Sequence, residues 1–588
     1  MKHLAAAIAL AVALPVTPVY AQETQATQPD WVETSNAYTE KLIAFEAQFF
    51  PEGASQSGYE EYDGRTFDIS ADRDERYLAG ATALKGEFEA AMARETNPYV
   101  KQDLAILIDS LDRSILSTQL GEQYLLDFDT LPQTVFYTIG AILSDQTVEN
   151  RRGSALALLK NYAGTNGGTP YTEQAKQRFD ESRGEGKLGP YRVEVEESIA
   201  KTPTFIAGLR DLFEKYEIDG AEQSLDALER QFTDYGEWTR TTVLPAARTE
   251  ARLPEELYAL ALRNVGIDID PREAMSQARR GFYETRAQME ALAPQIAEAR
   301  GWTDTDYGAV MTRLKQEKIP NDQIEAFYRD VNRQIEEKIA ANDIVSVPDT
   351  ELQMRVATVA ESAAQPAPHM RPPRLVGNTG EQGVFVLTTG NPTASAEDAY
   401  DDFNYAAAAW TLSAHEARPG HEMQFDALVK QGVSLARMLY AFNSVNVEGW
   451  ALYAEAEMLP FEPIEGQFVA QQLRLLREAR AFLDPALNLG MITREEAERV
   501  LREDVRLSPG MTKQELDRYQ FNAPGQAGAY YYGFRKLTDL RVETELALGE
   551  RFDEKAFNDF LLSQGIIPLE LIAQAVREEF VPVRLAGG

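Results

Sequence analysis

Seven consecutive residues, His415-Glu416-Ala417-Arg418-Pro419-Gly420-His421, concentrate the chemistry of this chain. The 588 residues include four histidines, and two of them stand here, six positions apart, with a glutamate directly after the first. Neutral imidazoles hold a divalent ion such as Zn2+, and a carboxylate beside the ion can take a proton from a bound water. These are the residue types of a metal-dependent hydrolase. A lone histidine is more often a hydrogen-bonded structural residue, but two histidines flanking Glu-x-x-Pro-Gly are harder to read that way.

The spacing sets a geometric demand. Zinc hydrolases commonly place two histidines at i and i+4 on one helical face. Six residues of regular helix turn about 600°, so the two rings would point about 120° apart. Sharing one ion requires a break between them. Pro419-Gly420 supplies the means, because proline removes a helical N–H and clashes with the preceding turn, while glycine tolerates unusual dihedrals. The helix is expected to break or bulge there and bring His421 back toward His415.

A catalytic zinc also needs a third protein ligand and an open position for water. Glu448, 27 residues after His421, is the best candidate, far enough along for a loop and a return helix. Acids are plentiful here, so Glu448 also reads as one carboxylate among many. Glu455 lies seven residues beyond it, about 700° further round and nearly on the same face. It is a candidate acceptor behind a ligand imidazole, as are Asp426 and Glu422.

The elements that must position these groups read as helices. Tyr99 to Leu120 carries Leu104, Ile106, Leu107, Leu111 and Ile115 at helical spacing. Asp270-Pro271-Arg272-Glu273 is a helix start, with an N-cap, a first-turn proline and an acid at the positive end; that helix should run through Phe282 to about Ala299. Thr493-Arg494-Glu495-Glu496 fits a capping box. Ala163 to Thr172 and the proline- and glycine-rich Ala363 to Gly383, which contains His369, read as loops. Val384 to Thr389 reads as a strand ended by Asn391-Pro392. The expectation is a mainly α-helical protein with a small sheet beside the motif helix. Its helical N-terminal half covers 22–265 and its catalytic C-terminal half 266–588, packed as one body.

Composition narrows the partners. The formal net charge of −35, without a long basic patch, argues against nucleic acid and against an anionic membrane surface; the acid excess fits solubility. The chain has no cysteine, so it has no disulfide frame, no thiolate ligand and no cysteine to lipidate. Lys2 and His3, the apolar run Leu4 to Leu14 and Val19-Tyr20-Ala21 read as a secretory signal peptide (1–21) cut after Ala21. A periplasmic or secreted address follows. No segment reads as a membrane span, and the sequence sets no oligomeric state.

His-Glu-Ala-Arg-Pro-Gly-His-Glu-Met-Gln (415–424) resembles the His-Glu-x-x-Pro-Gly-His signature of the bacterial domain-of-unknown-function 885 proteins. Glu-Gly-Trp-Ala-Leu-Tyr-Ala-Glu (448–455) resembles their second signature, and Arg480 to Ala497, Pro524 to Gly533 and Phe557 to Pro568 resemble further blocks in order. The resemblance implies a mostly α-helical fold like that of the thimet-oligopeptidase and angiotensin-converting-enzyme group of zinc metallopeptidases. It implies one zinc held by His415, His421 and Glu448, with Glu416 as base. Three positions depart from the pattern: Glu422, Asn488 and Asn558 stand where relatives often have histidine.

On this reading a tetrahedral oxyanion needs a donor besides the metal. Tyr530 fits by its place in the matched block, with Tyr531, Tyr532 and His369 as rivals and simple packing as the plainer role. Val384 to Thr389, at a sheet edge, would pair with an extended peptide. Arg535 or Lys536 would hold a substrate carboxylate, against the plainer reading of a solvated pair. The expected function is hydrolysis of short peptides by metal-activated water. Two alternatives stand beside it: hydrolysis of another small amide or an ester, and a zinc-bearing binding protein without turnover. A bundle-type di-metal oxidase would need paired Glu-x-x-His motifs, which four histidines make improbable.

Overall fold

The capping signals in the sequence sit at helix ends in the computed structural model. It describes residues 30–587 apart from 144–146, 148, 358–361, 363–366, 374–377, 379, 390–399 and 432. The signal-peptide reading and the Asn391-Pro392 stop therefore lie outside the described residues. Asp270 caps the helix Pro271–Arg300, its carboxylate accepting the Arg272 N–H at 2.8 Å. Thr493 and Glu496 form the reciprocal capping box. The periodic stretch lies in the helix Pro98–Tyr124, where Leu104, Ile106, Leu107 and Leu111 are buried and Ile115 is half-buried.

The chain divides into two compact units, one through Leu257 and the other from Tyr258. The division falls inside the helix Glu255–Val265, at whose end the sequence reading places it. The described part of the first unit is helical, with a core that includes Leu131, Val135, Ile139, Tyr162 and Phe232.

The second unit holds every candidate site residue. Its relevant helices are α1 (Pro271–Arg300), α2 (Ile324–Ala341), α3 (Ala408–Glu416), α4 (His421–Gln431), α5 (Ser444–Met458), α6 (Ile464–Asn488), α7 (Pro509–Asp517) and α8 (Ala529–Leu548). Helix α6 runs through the middle and packs on α1, α3 and α8. It is buried almost all round, yet carries Arg477, Glu478, Arg480 and Asp484. Buried charge of this density must be paired or used.

Three short strands complete the unit: β1 (Gln353–Val356), β2 (His369–Arg371) and β3 (Val384–Leu387), in the order β1-β3-β2. β3 pairs parallel with β1 (Met354 opposite Phe385) and antiparallel with β2 (Met370 opposite Phe385). The condition under which Val384–Thr389 would pair with a peptide, a place at the sheet edge, is not met. The strand is central, and Phe385, Val386 and Leu387 are all buried. An unbroken run of β-forming apolar residues suits a strand covered on both faces, whereas an edge more often alternates. β1 and β2 form the two edges of the sheet. Among the described residues no helix is long and apolar enough to cross a membrane.

Candidate metal centre

Between the two motif histidines the helix stops and restarts. α3 ends at Glu416, where Ala417 leaves the helical path (φ −103°, ψ −111°), the Arg418–Pro419 peptide is cis, and α4 begins at His421. Gly420 lies hard against the last turn of α3: a Cβ there would stand 1.9 Å from the His415 carbonyl oxygen and 2.4 Å from that of Ala414. Only glycine fits. The turn is held from outside as well. Trp450 Nε1 donates to the carbonyls of Pro419 (3.0 Å) and Gly420 (3.3 Å). The Arg418 guanidinium donates to Glu422, to Glu336 on α2 and to the Thr350 carbonyl. The two imidazoles come to 4.8 Å between ring centres, nearly perpendicular.

Each ring is oriented by the nitrogen that faces away from its partner. His415 Nδ1 lies 2.7 Å from Glu455 Oε1, so an Nδ1–H donating to the carboxylate leaves Nε2 as the free donor atom. Glu455 is fixed in turn by Thr411 Oγ1 (2.9 Å) and Arg477 Nη2 (3.3 Å). His421 Nδ1 lies 3.5 Å from Gln424 Oε1, and the Gln424 amide donates to Asn446. Glu448 Oε2 stands 3.6 Å from His415 Nε2 and 3.5 Å from His421 Nε2. The three ligand atoms all lie within 4.8 Å of one another. Tetrahedral zinc with bonds of about 2.0–2.1 Å wants its donors roughly 3.3 Å apart; Glu448 Oε2 already stands near that spacing from each imidazole, and the widest pair would have to draw together. Glu448 Oε2 is also buried without a hydrogen-bond partner among the described residues, an orphan that a cation would satisfy.

The charges in this cluster reinforce one another. Burial alone would raise the Glu448 carboxyl, but the two imidazoles outweigh it and hold it well below the usual carboxylate range. Burial alone would lower the His415 imidazole, but Glu448, Glu455 and Glu416 push it up to about 9. Glu416 Oε2 accepts the backbone N–H of Met370 in β2 at 2.8 Å, while Oε1 stands 3.9 Å from His415 Nε2.

Tyr530 reaches this cluster through a close helix crossing. Gly449 on α5 and Gly533 on α8 leave no room for a Cβ: one at Gly533 would stand 1.9 Å from the Val445 carbonyl oxygen. One turn before Gly533, the Tyr530 ring stacks on His415 at 6.4 Å between centres. Its hydroxyl accepts from Arg518 Nη2 at 3.2 Å.

The chain that carries this arrangement is matched over residues 51–576 by a family described as "Bacterial protein of unknown function (DUF885)". It belongs to that family. Two solved structures share the fold of this DUF885 chain. One is a candidate lipoprotein of unknown function from Shewanella oneidensis, with a TM-score of 0.77 and 19% identity, covering 94% of this chain and all of that one. The other is a candidate lipoprotein from Colwellia psychrerythraea, with a TM-score of 0.68 and 18% identity, covering 94% of this chain and 98% of that one. At such identities the likeness speaks for the fold alone. No curated protein matches.

The remaining candidates of this DUF885 chain lie elsewhere. Tyr531 turns toward the Gln277 carbonyl and Tyr532 bonds Asp268, so neither stands with Tyr530. His369 in β2 keeps its Nδ1 3.1 Å from the Ala367 carbonyl, and it is the next residue's N–H that reaches Glu416. Arg535 corrects an expectation: it is exposed and paired with Asp539 one turn on, and Lys536 pairs with Asp268 and Glu570. Glu422 serves Arg418 and Asp426 serves Lys430, so neither backs a ligand ring. Asn488 holds the carbonyls of Asp484 and Tyr519, and Asn558 the carbonyl of Ile344. Sequence reasoning missed three arginines around Tyr530, namely Arg477, Arg480 and Arg518. The available signal was three arginines, Arg474, Arg477 and Arg480, at i, i+3 and i+6 on one helix.

Proposed function

We propose that this chain is a zinc-dependent hydrolase of the gluzincin kind that cleaves short peptides. Zinc would be held by His415, His421 and Glu448, and Glu416 would be the base. The observation that carries the reading is the convergence of three donor atoms within 4.8 Å around an unpartnered carboxylate oxygen of Glu448. The helical frame with a small sheet at the site supports the wider likeness to the thimet-oligopeptidase and angiotensin-converting-enzyme group. The secretory reading of residues 1–21 supports a periplasmic or secreted address.

Zinc bound there supplies a water acidified toward neutrality and a polarised scissile carbonyl. Glu416 takes the water's proton and later gives it to the leaving amine. The Met370 N–H fixes Oε2 and turns Oε1 toward the ligand nitrogens. Tyr530 stabilises the developing oxyanion: Arg518 donates to the phenol oxygen, so the O–H hydrogen is left for the substrate. In a strand the N–H and C=O of one residue point to the same edge. Met370 therefore presents its carbonyl on the side of Glu416, where an extended peptide can pair with β2.

The test is a mixed peptide library incubated with the purified protein and read by mass spectrometry, with and without chelator. Cleavage that stops with chelator and returns with zinc supports the reading. Cleavage indifferent to chelator contradicts it, and turnover confined to non-peptide amides or esters replaces the substrate class.

A further inference from the structure

Three guanidinium groups surround Tyr530, with their central carbons 5.8 Å (Arg477), 4.7 Å (Arg480) and 5.4 Å (Arg518) from the ring centre. They come from α6 and from the turn after α7. In a chain with 93 acids and 58 bases, a knot of positive charge runs against the composition. Three carboxylates interact with these cations, and Asp484, felt by Arg518, is spent on the Tyr258 hydroxyl and the Gly525 N–H. Glu515 is spent on Arg480 through two bonds of 2.7 Å and on the Tyr519 hydroxyl at 2.8 Å, standing 3.6 Å from Arg518. Glu455 is spent on His415 and Thr411 and takes only one Arg477 nitrogen, at 3.3 Å.

Unused donors are left at Arg477. Arg477 is 6% exposed, and its Nε and Nη1 are buried without a hydrogen-bond partner among the described residues. A buried guanidinium with unused donors is costly unless an anion completes it. Arg518 is the accessible member, its side chain 21% exposed, and besides Gln526 it reaches the Tyr530 hydroxyl. Arginine is the side chain best matched to a carboxylate, through two parallel N–H donors.

We propose that this arginine group receives a free carboxylate of the substrate, with Arg518 making the contact and Arg477 supplying charge behind it. The proposal rests on the hydrolase reading and narrows it: the bond cut lies near the C-terminal end of a peptide, and C-terminal amides are poor substrates. Arg535 and Lys536, the side chains weighed for this role in the sequence against a solvated pair, are engaged with Asp539, Asp268 and Glu570.

The test is binding as well as turnover. A panel of N-acetylated dipeptides, each as free acid and as C-terminal amide, is titrated calorimetrically into zinc-loaded and chelator-treated protein. The same pairs are then assayed for cleavage. The acid should bind about tenfold or more tighter than its amide, the range of a charge-assisted hydrogen bond. R518Q should reduce that preference to about threefold or less, and R518K should keep part of it. Because the ratio is taken within one variant, any general effect of Arg518 on Tyr530 cancels. Equal binding of acid and amide in every pair overturns the proposal. So does a preference that survives R518Q but disappears with the metal, which assigns the carboxylate to the ion. An acid preference in binding without any cleavage keeps the carboxylate site and rejects the hydrolase. Cleavage of acids and amides alike does the reverse.

Discussion

The Trp450 indole N–H bridges the carbonyls of Pro419 and Gly420, at 3.0 and 3.3 Å, and so ties the second glutamate motif to the turn of the first. One side chain thus joins the histidine turn to the helix that carries Glu448. W450F removes the donor and leaves two carbonyls short of a partner. It should cost about 1–3 kcal/mol of stability, and zinc affinity should fall with it. Chemical denaturation and a metal-competition titration check both; a variant as stable and as tight as the parent would show that the turn stands without the tryptophan.

Glu455 orients His415 from behind, and substitution of such a partner typically costs 10–100-fold in metal affinity. E455Q should therefore weaken zinc binding by about that range while all three ligands remain. Competition against a fluorescent chelator reads the change. Undiminished affinity would mean that Thr411 and packing alone set the ring.

Zinc uptake should depend on pH with a definite sign. In the metal-free protein, burial works to lower the His415 imidazole, but Glu448, Glu455 and Glu416 raise it to about 9. Below that value the ring carries a proton that zinc must displace. Affinity should rise with pH, about tenfold per unit at most, and level off near 9. Calorimetry at pH 7 in buffers of different ionisation enthalpy should show about one proton released per zinc. Release of none would place His415 in its neutral form already.

The glycine crossing of α5 and α8 invites a direct perturbation. G533A puts a methyl 1.9 Å from the Val445 carbonyl oxygen, so the helices must part. Overpacking of this kind costs about 1–3 kcal/mol. Tyr530 rides on α8 and Glu448 on α5, so kcat should drop more than zinc content. Equal loss of both, or of neither, would show that the crossing does not set the distance between these two residues.

Much of this was legible in the sequence for local reasons. Helix caps such as Asp270 and Thr493 are short-range patterns, and the Pro-Gly step between His415 and His421 demanded a break because six residues cannot put two rings on one face. What stayed hidden needed contacts between distant segments. The placement of β3 between β1 and β2 depends on pairing partners about 30 and 15 residues upstream, which no local pattern encodes. The arginines around Tyr530 come from separate elements and meet only in the fold. Arg535 follows Tyr530 by five residues, yet α8 turns it to the outside.

Whether His415, His421 and Glu448 together hold one divalent ion is decided by metal analysis of the purified protein beside its E448A and E416Q variants. One zinc per chain is expected in the parent and in E416Q, with E448A binding it at least about tenfold more weakly. A parent that binds no zinc under saturating metal, or an E448A variant that binds it as tightly as the parent, would contradict it.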